Sequence, residues 1–387
     1  MNQDKLLQID EIINKEIRGE RLRGASVYIE QRGKVAFNKV YGSDKEDSIY
    51  KIYSMTKPIT AVAAMIMYER GLIDLLDPVG KYIPEYADMN VWNADKKKLK
   101  KAENPITIND LLNMTSGLVY PGENTYPERC MSEIQKDLFK RATSGEKMSN
   151  LKILKELAKA PLQFEPGHGW RYGLSADIVA GIIEVITGIS YGEFLKKEIF
   201  EPLGMEDTGF LVPKEKIDRL AKMYWRNEDT KILRTPTQDE YVYLNEYAPT
   251  LPPFIESGGG GLYSTTADYV KFAKMLLNYG RYEEGRLLGR KTVEFLSSNR
   301  LSKEQMKAID MENFDGYAYS NFMRIMLDPA KAWSNGSVGE YGWDGMSGTY
   351  FMVDPAEELI YVYMQQIAQG DDRSLRRRIR QIIYGAI

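Results

Sequence analysis

The chain has 387 residues, 43% of them hydrophobic and 28% charged, which excludes a mostly disordered polypeptide. Its 52 Lys and Arg stand against 55 Asp and Glu, a formal charge of −3, so no global attraction to nucleic acid or an anionic membrane is expected. One cysteine, Cys130, and one histidine, His168, exclude an intrachain disulfide and any Cys-rich or His-rich metal centre. No apolar run approaches the ~20 residues of a membrane span. The opening Met1-Asn2-Gln3-Asp4-Lys5 lacks the apolar core of a signal peptide. A cytoplasmic protein of about two domains, or one domain with a large insertion, is the expectation.

In chain order, Leu6, Ile9, Ile12, Ile13 and Ile17 fall at helical spacing, predicting an amphipathic helix over 5–18. Residues 25–31 and 34–40 read as two strands around Arg32-Gly33. Residues 59–68 are apolar on nearly every side, the pattern of an interior helix, and Gly71 closes it. Segments 151–159, 176–187, 191–199 and 266–279 carry helical periodicity, and Asn109-Asp110 suit the cap of a short helix over 111–114. Gly258–Gly261 reads either as backbone approaching a pocket closely or as a turn. Three β-rich stretches follow at 319–327, 348–353 and 359–365, with Asp354-Pro355 turning the last two into a hairpin. Residues 374–383 read as a helix whose Arg376, Arg377, Arg378 and Arg380 suit the helix C-terminal dipole. The pattern predicts an α+β chain. Residues 1–77 and 285–387 form an α/β sandwich, an antiparallel sheet flanked by N- and C-terminal helices. Residues 78–284 form an inserted, mostly helical domain.

Ser54-Met55-Thr56-Lys57-Pro58 opens the interior helix. A spacing of three puts Ser54 and Lys57 on one helical face. Pro58 restricts this segment to a helix start, where backbone N–H groups are free. A lysine there serves as a base only if burial lowers its pKa well below the ordinary ~10.4. The same residues also suit a Ser N-cap followed by a solvated lysine. Tyr172, after the turn Glu165-Pro166-Gly167, is a candidate proton shuttle or a packing residue.

Ser54-Met55-Thr56-Lys57, Tyr172-Gly173-Leu174-Ser175-Ala176-Asp177 and Gly342-Trp343-Asp344-Gly345 occur in a telling order. With Ser257–Leu262 and Gly348–Pro355 they resemble the serine β-lactamase and penicillin-binding-protein superfamily. The likeness is to class C β-lactamases and, more closely, to family VIII carboxylesterases, from about residue 8 to residue 384. The resemblance implies Ser54 as acylated nucleophile, Lys57 as proton acceptor and Tyr172 as proton relay. It implies an oxyanion hole from the backbone N–H groups of Ser54 and Met346. Trp343, Asp344 and Gly345 would line the substrate site. Tyr120, His168, Trp170 and Leu174 are further substrate-contact candidates. No metal or other cofactor is implied.

The departures point away from β-lactams. Leu174 and Trp343 stand where β-lactamases carry an asparagine and a lysine that bind the drug, and an ionised Asp344 would repel a carboxylate. The expected activity is a carboxylesterase for small or short-chain esters. A β-lactamase, a D-amino-acid peptidase or amidase, and an acyltransferase are the alternatives on the same machinery. The partner is a small-molecule ester or amide. Nothing in the sequence speaks to oligomeric state.

Overall fold

The computed structural model describes residues 1–227, 229–237, 248–312, 314–368 and 373–387. Helix α1 (Gln8–Arg18) follows the periodicity and buries Ile9 and Ile13. Strands β1 (Gly24–Gln31) and β2 (Lys34–Gly42) form the expected hairpin. Its two turn residues, Arg32 and Gly33, both sit at positive φ, +52° and +70°, the handedness that two-residue hairpins need. A short strand β3 (Ile49–Lys51) leads into helix α2 (Thr56–Glu69), which is buried from Thr56 through Met67.

The inserted region supplies α3 (Ile108–Asn113), α4 (Tyr126–Thr143), α5 (Asn150–Leu157) and α6 (Ser175–Thr187). The cap of α3 differs from expectation. Thr107 is the N-cap, and Asp110 at the third helical position closes a reciprocal capping box, so the helix starts three residues early. Strand β4 (Tyr263–Thr265) pairs with β3 and runs into α7 (Thr266–Leu277).

Strands β5 (Tyr317–Ser320), β6 (Met323–Met326), β7 (Tyr341–Asp344), β8 (Tyr350–Asp354) and β9 (Leu359–Met364) complete the sheet before helix α8 (Arg373–Gly385). The order is β5-β6-β7-β8-β9-β1-β2, antiparallel throughout. Residues 319–327, expected as one strand, are parts of two. Asn321 and Phe322 turn the chain at φ +47° and +61°. No glycine marks this turn. Asn321 is held by tertiary bonds, donating to the Leu296 carbonyl at 2.8 Å and accepting from Arg300 at 2.5 Å.

The sheet is covered on both faces, so its central strands are apolar on both sides. In β9 the alternation is complete. Leu359, Tyr361 and Tyr363 pack with Ile9, Ile13, Ile379 and Ile383 of the terminal helices. Ile360, Val362 and Met364 face the other core, with Tyr269 and Phe272 of α7 and the apolar length of α2. Helix α7, which falls within 78–284, lies directly on β1, β8 and β9. Among the described residues no single helix is long and apolar enough to cross a membrane.

The arginines of α8 depart from the expected helix C-terminal placement. Arg376, Arg377 and Arg378 sit in its first half, where the dipole does not favour them, and Arg376 and Arg380 are each 5% exposed. Arg380 donates to Glu340, whose other oxygen lies 2.9 Å from the Tyr384 hydroxyl. Burial between helix and sheet therefore demands ion pairing. Arg380→Met leaves Glu340, 1% exposed, without its cation. Urea unfolding is expected to show a loss of about 3–5 kcal/mol.

Candidate active site

Ser54 lies in a single 3₁₀ turn, Tyr53–Met55, that precedes α2. Pro58 stands at the third residue of α2, where no intrahelical N–H is needed. Tyr53 is held at φ +42°, a conformation costing of order 1–3 kcal/mol outside glycine. The surrounding structure imposes it. Met55 N donates to the Ile52 carbonyl, Ile52 N donates to Leu262, and the Tyr269 hydroxyl donates to Met55 at 2.7 Å. Gly345 lets the end of β7 approach this segment, since a Cβ there would overlap the Ile52 carbonyl.

Lys57 is fully buried one helical turn on, with its Nζ 3.2 Å from Ser54 Oγ. The amine also lies 2.9 Å from the Tyr120 hydroxyl and 2.6 Å from the Gly259 carbonyl. It sits over the rings of Tyr172 and Tyr120, 4.6 Å and 5.3 Å from their centroids. Burial pushes its pKa down to about 7, although the nearby Asp177 carboxylate acts in the opposite direction.

Asp177, in the first turn of α6, is the buried carboxylate nearest this amine in chemistry. Its Oδ1 accepts from Ser257 Oγ at 2.5 Å and from Gly259 N at 3.2 Å. Burial raises its pKa, against those hydrogen bonds and the Lys57 charge. The Gly258–Gly261 run is thus a close backbone approach. A side chain on Gly259 would meet Asp177 and Tyr120, and one on Gly258 would meet the Ala176 carbonyl. The sequence singled out this run without linking it to Lys57. Asp177 stood inside a recognised motif, yet only the fold shows that it faces the amine.

The Tyr172 hydroxyl accepts from Trp343 Nε1 at 3.1 Å. Burial holds its proton well above the ordinary tyrosine range, more strongly than Ser54 and Trp343 oppose it. The ring stands 5.7 Å from both Trp343 and Tyr120. Ser54, Lys57, Tyr172, Tyr120 and Trp343 therefore form one connected cluster.

The cluster opens onto a cavity of about 680 Å³. Ser54, Tyr172, Trp343, Asp344, Gly345 and Met346 form one side, together with Tyr120 and Leu174. Helices α4 and α5 contribute Leu138, Phe139, Ile153 and Leu157 to the lining, as does the segment of Phe254 and Ile255. Two expected substrate contacts lie outside this lining. His168 is exposed, with Nδ1 3.1 Å from the Pro166 carbonyl, because its Pro-Gly turn points it to solvent. Trp170 is 3% exposed and stacks behind Tyr172 against Tyr319. Asp344 is not a bare charge either. It pairs with Arg376 at 3.3 Å and lies 3.9 Å from Arg324, which removes the expected repulsion of carboxylates.

Known proteins share this fold. The family model described as Beta-lactamase matches residues 9–384. An uncharacterized protein of Mycobacterium tuberculosis is 30% identical over 330 residues, covering 83% of this chain and 78% of its own. Esterase EstB of Burkholderia gladioli is 25% identical over 400 residues, covering 97% and 94%. Among solved structures, EstCE1, a hydrolase with promiscuous acyltransferase activity, superposes with a TM-score of 0.79 at 20% identity over 99% of both chains. A family match over nearly the whole length, on an antiparallel sheet flanked by helices, leads to one conclusion: this chain is a serine hydrolase that belongs to the Beta-lactamase family.

Proposed function

We propose that the protein is a carboxylesterase that works through an acyl-enzyme on Ser54, with Lys57 as base and Tyr172 as proton relay. The observation that carries this reading is the buried Lys57 amine, 3.2 Å from Ser54 Oγ. A pKa of about 7 leaves much of that amine neutral near neutral pH. It then accepts the Ser54 proton as Oγ attacks the ester carbonyl carbon. The backbone N–H groups of Ser54 and Met346 hold the developing oxyanion, a contribution of roughly 3–4 kcal/mol per donor. The Tyr172 oxygen takes a hydrogen bond from Trp343, and its own proton goes to the leaving alcohol. Water then attacks the acyl-enzyme by the reverse proton path and releases the acid.

The cavity walls support an ester over a β-lactam. Leu138, Ile153 and Leu157 give the lining aliphatic surface, which suits an uncharged acyl group. Leu174 offers no amide to a lactam side chain, and Trp343 spends its only donor on Tyr172. Small neutral esters are the proposed substrates. A second reading, acyl transfer to an alcohol, draws support from EstCE1, whose description includes promiscuous acyltransferase activity. The two differ only in what attacks the acyl-enzyme.

Three outcomes test this. With p-nitrophenyl butyrate, Ser54→Ala is expected to lower kcat/KM by at least ~10³-fold, as for the loss of other catalytic nucleophiles; equal turnover by both proteins rejects the reading. Below about pH 7 the Lys57 amine is protonated and cannot accept a proton. Hence kcat/KM is expected to fall about tenfold per pH unit on the acid side and to level off above pH 8, read from a pH–rate profile. Finally, with p-nitrophenyl butyrate and added 1-butanol, chromatography is expected to show butyric acid as the main product. Butyl butyrate as the main product favours the acyltransferase reading.

A further inference from the structure

A second cavity, of about 290 Å³, lies beyond the wall formed by Trp343 and Asp344. It is framed by β5–β8 and the first turns of α8. Three arginines reach it, the half-buried Arg324 from β6 and the buried Arg376 and Arg380 from α8. Lys331 and Arg377, both exposed, stand at its rim.

One buried guanidinium group holds hydrogen-bonding capacity in reserve. Arg380 is 5% exposed and binds Glu340 through Nη1. Its Nε and Nη2 are buried without a hydrogen-bond partner. Arg324 lies 3.9 Å from Asp344, too far for a hydrogen bond, and is held in place by stacking on Tyr317 and Tyr350, 5.1 Å and 5.4 Å from their centroids. A buried cationic N–H without an acceptor is unfavourable. An oxyanion entering the cavity supplies the acceptors.

The remaining lining narrows the ligand. Phe314, Tyr317, Trp333 and Tyr350 surround the arginines with aromatic surface. Trp333 is 80% exposed at the mouth. The volume is roughly ten times the ~30 Å³ share of one water molecule, more than a bare small anion needs. Planar guanidinium forks match carboxylates bidentately. We propose that this cavity is a carboxylate-binding site, separate from the Ser54 cleft, that takes an acid with a planar apolar body, an arenecarboxylate. The site stands whether or not the esterase reading holds, because it uses none of Ser54, Lys57 or Tyr172.

The test is calorimetric titration of the full chain with sodium benzoate, its neutral isostere benzamide, and inorganic phosphate. Benzoate is expected to bind at least about tenfold more tightly than benzamide, the discrimination of a charge-assisted pair. Arg324→Met is expected to remove that preference. Lys331→Met and Arg377→Met, at exposed positions where folding is insensitive, are each expected to weaken benzoate about threefold through the lost rim charge. Benzoate should also change the tryptophan fluorescence, and Trp333→Phe should diminish the change, leaving only the part from Trp343. Equal affinity for benzoate and benzamide, benzoate binding untouched by the rim variants, or a fluorescence change undiminished by Trp333→Phe overturns the proposal. Phosphate binding tighter than benzoate overturns the carboxylate assignment.

Discussion

The site depends on removing one amine from water. Lys57 enters an apolar helix at a position with no exposed surface, and its charge is answered by oxygens rather than by solvent. Desolvation pulls the lysine towards its neutral form, and the nearby carboxylate pulls it back towards the charged one. The Asp177 carboxylate acts on Lys57 from across the Gly259 peptide, with its strongest hydrogen bonds going to Ser257 and that peptide instead. The amine is left near the midpoint of its titration around neutrality, where a base for a serine hydroxyl is most useful.

The rest of the fold can be read as support for that position. The sheet is sealed on both faces, so α2 is pressed between α7 and the inserted helices with its N-terminal turn at the mouth of the cleft. Gly345 at the end of β7 and the glycine run at 258–261 are the two places where backbone must come within contact of the site. Both use the absence of a Cβ for closeness rather than for an unusual φ. Tyr53, by contrast, carries a left-handed φ without being glycine, a local strain that the bonds around Ile52 and Met55 hold in place.

Trp343 and Asp344 line both cavities. In the Ser54 cleft the indole N–H is committed to the Tyr172 oxygen, and Leu138, Ile153 and Leu157 add aliphatic surface. In the second cavity, arginines of β6 and α8 surround Asp344 and stack on tyrosines.

Much of the chain was legible from local pattern. Ser54 and Lys57 are three residues apart on one helix, and Pro58 marks the helix start, so their meeting needs no tertiary information. The β1–β2 hairpin, the interior helix α2 and the terminal helices follow from short-range periodicity in the same way. What was misread involves partners far away in sequence. The Asn321-Phe322 turn is held by Leu296 and Arg300, and Arg376 and Arg380 read as helix-end charges until Glu340 and Asp344 are brought beneath them. His168 follows the same rule, since only packing decides which way a turn faces. Tyr120 and Asp177 come to Lys57 from 63 and 120 positions away, on elements whose own periodicity says nothing about what they will face. Periodicity determines which face of an element is buried, and the packing of elements determines what that face meets.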